Sequence, residues 1–82
     1  VEEKLAACVN MSPAVRSFYR WEGKLCHEKE RLLFIKTQAA LFARLEARIK
    51  TLHPSKVPEI ISLPIDRGSK AYLGWLGEVT QV

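Results

Sequence analysis

Three sets of residues in this sequence carry groups that could do chemistry. His53 and Glu59, in HPSKVPE, supply an imidazole and a carboxylate, donors that suit copper or zinc. Cys26 and His27 put a thiol beside a second imidazole. Adjacent residues on an extended strand point to opposite faces, so these two converge on one ion only where the chain bends. A solvent-exposed turn is the simpler reading of CHEKE (26–30). The third set lies in SFYRWEGKL (17–25), where Phe18, Tyr19 and Trp21 sit among Arg20, Glu22 and Lys24. Aromatics among cations can stack nucleic-acid bases, line a ligand pocket, or be buried against a partner. The two histidines lie at a turn and a helix end, and neither has a positioned nucleophile, so no enzymatic activity is expected.

The elements that must position these groups follow from period and punctuation. In VEEKLAACVN, Leu5, Cys8 and Val9 recur at i, i+3, i+4 and Asn10 offers a stop, which reads as the last turns of a helix. Nothing starts that helix, so residues upstream of Val1 are expected. Met11–Ala14, with its Ser-Pro, reads as a connection. From Val15 the period becomes two. Val15, Ser17, Tyr19 and Trp21 share one face and Arg16, Phe18, Arg20 and Glu22 the other, giving a strand over 15–25. After the CHEKE turn, RLLFIKT (31–37) forms the second strand of an antiparallel hairpin.

Gln38–His53 carries an apolar stripe of Leu41, Phe42, Leu45, Ile49 and Leu52, the signature of an amphipathic helix. Thr37 is placed to cap it and Pro54 to stop it. EIISLPI (59–65) reads as a third strand with prolines at its ends. DRGSK (66–70) turns the chain, and Ser69 caps a final helix bearing Ala71, Tyr72, Trp75, Leu76 and Val79. The order is (helix)–strand–strand–helix–strand–helix. One further strand at the start completes β-α-β-β-α-β, so the expected fold is a single α+β domain over 1–82. It is ferredoxin-like, with one layer of helices on an antiparallel sheet, a further C-terminal helix, and an incomplete N-terminus.

Composition sets the outer bounds. Thirteen Lys and Arg against nine acidic residues give a net charge of +4, scattered rather than clustered, as befits a small soluble domain. No apolar run approaches the roughly 20 residues that cross a bilayer, so no membrane partner is expected. Two cysteines without CxxC spacing and without a visible secretion signal suggest reduced thiols in the cytoplasm. One pattern asks for a partner. RLLFIKT sets Leu33 and Ile35 on one side and Leu32 and Phe34 on the other. Both faces of that strand should be buried, and another copy of the chain is the simplest cover for the second.

KLAACVN (4–10), YRWEGK (19–24), IKT (35–37), LHPSKVPEII (52–61), LPI (63–65) and YLGWL (72–76) occur in the order and spacing that the CutA family of divalent-cation tolerance proteins shows. The sequence therefore resembles that family along essentially its whole length. The resemblance implies a tight homotrimer similar to the PII signalling proteins, and a cytoplasmic role in tolerance of copper and other divalent metals, without an established enzymatic activity. It assigns His53 and Glu59 to metal binding, with copper or another divalent cation as the ligand. Two departures stand out: Leu52 occupies a position where some members carry a second histidine, and a thiol ligand used by some members lies in a first strand that this sequence lacks. In the implied trimer, Tyr19, Trp21, Glu22, Lys36, Tyr72 and Trp75 lie near a cleft between subunits. Such a cleft suits a small anionic or zwitterionic molecule or simple interface packing, so a PII-like sensor or a scaffold is the alternative function. No nucleic-acid partner is expected, because the RNP-type pattern of RNA-recognition modules is absent and trimerisation covers the sheet face.

Overall fold

Glu22 and Gly23 both adopt left-handed backbone, with φ of +49° and +76°. Two consecutive positive φ values are the signature of a type I′ turn, whose twist matches that of the strands on either side. The computed structural model of the chain describes residues 1–80 and hangs its longest feature on this turn. Strand β1 (Cys8–Trp21) runs into it and strand β2 (Lys24–Lys36) runs out, paired antiparallel from Trp21↔Lys24 at the tip to Cys8↔Lys36 at the base. Among the described residues these two strands are the whole sheet. The ribbon dominates a molecule measuring 45 × 24 × 20 Å.

One irregularity interrupts the ladder. Between Met11↔Leu33 and Ala14↔Arg31, two residues of β1, Ser12 and Pro13, face the single residue Leu32. This is a β-bulge, and proline is tolerated there because it has no N–H to contribute. The Leu32 N–H is satisfied instead by the Ser12 hydroxyl at 2.8 Å.

The helices gather at the base of the ribbon. A short 3-10 turn (Ala39–Leu41) leads into α1 (Phe42–Leu52), and α2 spans Lys70–Val79. The architecture is thus α+β, with an antiparallel sheet and two helices. Leu5, Ala6, Ala7, Leu41 and Leu76 form the buried apolar core, together with the buried Thr80. Gln38 ties these pieces together. Its side-chain amide donates to the Thr80 carbonyl at 2.8 Å and to the Thr80 hydroxyl at 2.9 Å, satisfying acceptors at the C-terminus of α2. Ser69 caps the other end, its hydroxyl accepting the Tyr72 N–H at 3.2 Å, as its position in the sequence predicts.

Several expectations are corrected. Residues 1–10 do not end a helix: the chain turns at Lys4, the Ala7 N–H donates to the Lys36 carbonyl, and β1 begins at Cys8. The buried Leu5, Ala6 and Ala7 are an apolar plug rather than a helical stripe. Met11–Ala14 is a bulge inside β1, not a connection. The reversal comes at Glu22-Gly23, not at CHEKE, which lies within β2. Glu22 is therefore a turn residue, not a strand residue. The turn falls where positive φ is cheapest, and charge alone did not make residues 26–30 a loop. Thr37 donates to the Leu5 carbonyl at 2.7 Å instead of capping a helix. Residues 59–65 join no ladder, and Ile61, Leu63 and Ile65 are exposed. A strand exists only where another edge supplies its N–H and C=O partners, and the hairpin of this chain does not offer one to this segment.

A methyl group added at Gly23 would meet no atom within 4 Å, so substitution there costs only backbone conformation. Gly23→Ala should therefore destabilise the protein by about 1–2 kcal/mol, read as a lower urea midpoint with an unchanged slope.

Candidate functional site

His53 sits where α1 stops. Proline disfavours helical backbone in the residue before it, and His53 accordingly leaves the helix with φ −83° and ψ 137°. Its N–H still closes the last turn on the Ile49 carbonyl at 2.8 Å. The ring folds forward, and Nδ1 accepts the Ser55 N–H at 3.0 Å. A neutral imidazole that accepts at Nδ1 carries its proton on Nε2. Neither nitrogen then presents a lone pair to a metal until the Ser55 bond is given up. Glu59 is exposed, six positions further along an unladdered segment. Among the described residues, no group of three or more His, Cys, Asp and Glu is gathered to hold an ion. His53 and Glu59 are thus not joined by further donors into a closed metal site among the described residues.

The six residues assigned to the cleft fall into separate places in one chain. Tyr19 and Trp21 share a face of the ribbon, and Glu22 occupies the turn just beyond them. Lys36 lies at the far end of β2 opposite Cys8, roughly 40 Å away at about 3.3 Å per residue. Tyr72 and Trp75 pack on each other on α2, with ring centroids 5.5 Å apart. Cys26 and His27 diverge as strand neighbours must. Cys26 faces Tyr19, and His27 stacks on Phe18 across the other face at 4.5 Å and 2° between planes. His27 Nε2 also accepts from Arg16 Nε at 3.3 Å.

The Tyr19 phenol is pushed up to about 12, mainly by its hydrogen bond to the Glu28 carboxylate, with burial and the negative charge of its neighbours adding to the effect. Tyr19 is thus a neutral hydrogen-bond donor, not a phenolate base, through the physiological range. Among the described residues, no helix is long and apolar enough to cross a membrane.

Residues 1–79 match the family model described as CutA1 divalent ion tolerance protein. The chain belongs to the CutA family. It is 51% identical over 80 residues to the divalent-cation tolerance protein CutA of Thermus thermophilus, covering 98% of this chain and 78% of that one. Mouse Protein CutA is 43% identical over 81 residues, and there the chain spans 46% of the relative's length. Among solved structures, the Thermus CutA protein superposes with a TM-score of 0.95. CutA1 from Oryza sativa superposes at 0.93 with 48% identity, covering 98% of this chain and 73% of that one. A CutA structure from Archaeoglobus fulgidus, described as periplasmic, superposes at 0.94 with 39% identity, covering 98% of this chain and 78% of that one.

CutA membership accounts for the ribbon and helix arrangement, but the residues that hold it were not all visible in the pattern. Gln38 stands one position before a helical turn, and nothing in the sequence links it to Thr80. Arg16 reads as an exposed strand residue, and its contacts with His27 and Phe18 need the register to be known.

The raised Tyr19 ionisation carries a sign. Its folded value lies above the ordinary 10.0, so the neutral phenol favours the fold. That contribution is whole below pH 10 and is lost as pH rises toward 12. The stability difference between wild type and Tyr19→Phe should therefore be constant up to about pH 10 and shrink above it. In an absorbance titration, Glu28→Gln should bring the Tyr19 phenolate transition back toward its ordinary pH.

Proposed function

We propose that this chain is a homotrimeric CutA protein that serves divalent-cation tolerance, with copper as the cation, in the cytoplasm. The observation that carries the reading is the apolar surface on both faces of the ribbon. Phe18 is 69% exposed, Leu25 79%, Leu33 51% and Phe34 56%, whereas the buried apolar core among the described residues is five small and aliphatic side chains. A single subunit has no element left among its described residues to cover those side chains, whereas two further copies do. The ferredoxin-like organisation expected from the sequence fits the same reading. The unladdered segment 59–65 supplies the material for a further strand once an edge is available.

His53 and Glu59 are our choice of cation donors, completed by groups from a neighbouring subunit. Copper must displace the Ser55 N–H from His53, which costs about 1 kcal/mol for a typical hydrogen bond. The two free thiols, Cys8 and Cys26, suit a reducing compartment.

Light scattering should return about three times the 9.3 kDa chain mass; a monodisperse monomer would contradict the trimer. Calorimetric titration with Cu(II) should show saturable binding that His53→Ala weakens by at least about tenfold. Identical isotherms for the two proteins would remove His53 from the cation site.

A further inference from the structure

Thr51 is exposed in the last turn of α1, one residue before the helix ends. Residues three apart are neighbours on a helix surface, and Thr51 is engaged by Arg48. Its hydroxyl donates to the Arg48 carbonyl at 2.7 Å and accepts from Arg48 Nη1 at 3.1 Å. The same guanidinium reaches away from the helix. Arg48 Nε donates to both oxygens of the Glu3 carboxylate, at 3.0 and 2.9 Å. One arginine thus joins a hydroxyl of α1 to the exposed residues 1–4, where the chain turns with the Lys4 N–H donating to the Val1 carbonyl at 3.0 Å. Beyond that turn the chain is fixed separately, by Thr37 on the Leu5 carbonyl and by the Ala7 N–H on the Lys36 carbonyl.

The chain around Thr51 is basic and open. Arg48 and Lys50 precede it by three positions and by one, and no acidic residue stands between Ala47 and Pro58. Residues 50–57 are exposed throughout. A hydroxyl set among cations complements a kinase whose substrate groove is lined with carboxylates. Helix ends fray, so the last turn before Pro54 can open to enter such a groove. The Arg48–Glu3 pair is also easily lost. Its side chains are 45% and 54% exposed, and ion pairs at such sites are weak.

We propose that Thr51 is a phosphorylation site for a protein kinase that favours basic substrates, and that its phosphate takes Arg48 from Glu3 and frees residues 1–4 from α1. In the transfer, the Thr51 hydroxyl oxygen bonds to the γ-phosphorus of ATP. The bond from that phosphorus to the β,γ-bridging oxygen breaks, ADP leaves, and the hydroxyl proton passes to the kinase's base. The new group carries nearly two negative charges and three strong acceptor oxygens. It is built on the oxygen that Arg48 Nη1 already contacts, so the guanidinium turns to it with little movement and forms charge-assisted bonds in place of a neutral one. Glu3, now beside a second anion, is repelled. A negative group near a helix C-terminus opposes the dipole, and pairing with Arg48 offsets that cost, so α1 keeps its last turn.

The folded protein is incubated with ATP and the catalytic domain of a kinase that favours basic substrates. Mass spectrometry should show one added phosphate, and peptide mapping should place it on Thr51. No uptake, or a phosphate on Ser55 or Ser69 with none on Thr51, would overturn the site. Amide hydrogen exchange then reads the switch. In the phosphorylated protein the Lys4 amide should exchange roughly fivefold faster, the factor a surface ion pair controls. The His53 amide, which closes α1 on the Ile49 carbonyl, should keep its protection. Unmodified Glu3→Ala should show the same fast Lys4 exchange, and phosphorylating that variant should add nothing. Unchanged Lys4 exchange after phosphorylation would overturn the switch. So would loss of His53 protection, or a further rise in Lys4 exchange in phosphorylated Glu3→Ala, because the phosphate would then act by melting the helix end.

Discussion

A ribbon of two strands has no interior. Each side chain lies on one face or the other, and in a lone hairpin both faces meet water. Hairpins of this kind are marginal by themselves and become stable when a face is covered. Here the helices and the plug of Leu5, Ala6 and Ala7 gather at one end of a ribbon fourteen and thirteen residues long. The rest projects outward with Phe18, Trp21, Leu25 and Phe34 exposed. The elongated shape of the molecule and the apolar surface left open along its arm both trace to that imbalance.

Much of this was legible in the sequence because period and punctuation agreed. The alternation from Val15 to Trp21 survives in the burial pattern: Val15, Ser17 and Tyr19 are half-buried between exposed Arg16, Phe18 and Arg20. The helix stripe running through Leu41, Leu45 and Ile49, the Pro54 stop and the Ser69 cap are each local effects, and each is found. The errors came where local signals conflict with a longer-range partner. Leu5, Cys8 and Val9 match a helical spacing, yet the Ala7 N–H is taken by Lys36. CHEKE looks like a loop until Glu22-Gly23 is recognised as the turn, after which its charges simply alternate between the two faces of β2. Residues 59–65 have the composition of a strand, but composition cannot supply the edge a strand needs.

The candidate site shows the same division. His53 and Glu59 could be picked out by type and by the family resemblance. The Ser55 N–H on His53 Nδ1 could not, and that bond occupies a ring nitrogen that would otherwise be open to a ligand. Tyr19, Trp21 and Lys36 sit on neighbouring strands, which does not by itself bring them together. The register instead sets Lys36 at the base and Trp21 at the tip. Any cleft that unites them with Tyr72 and Trp75 is built between subunits. In the function proposed above, the cation chemistry and the assembly are one question, because His53 and Glu59 gather no further donors among the described residues.

Side-chain labelling by hydroxyl radicals tests the central claim most directly, because it reads the two faces separately. At concentrations where the protein is assembled, Phe18 and Leu25 on one face and Trp21 and Phe34 on the other should label slowly. All four should speed up together when dilution dissociates the assembly. Fast labelling of either face that does not change with concentration would contradict the account, since that face of the ribbon would then be bare in the native protein.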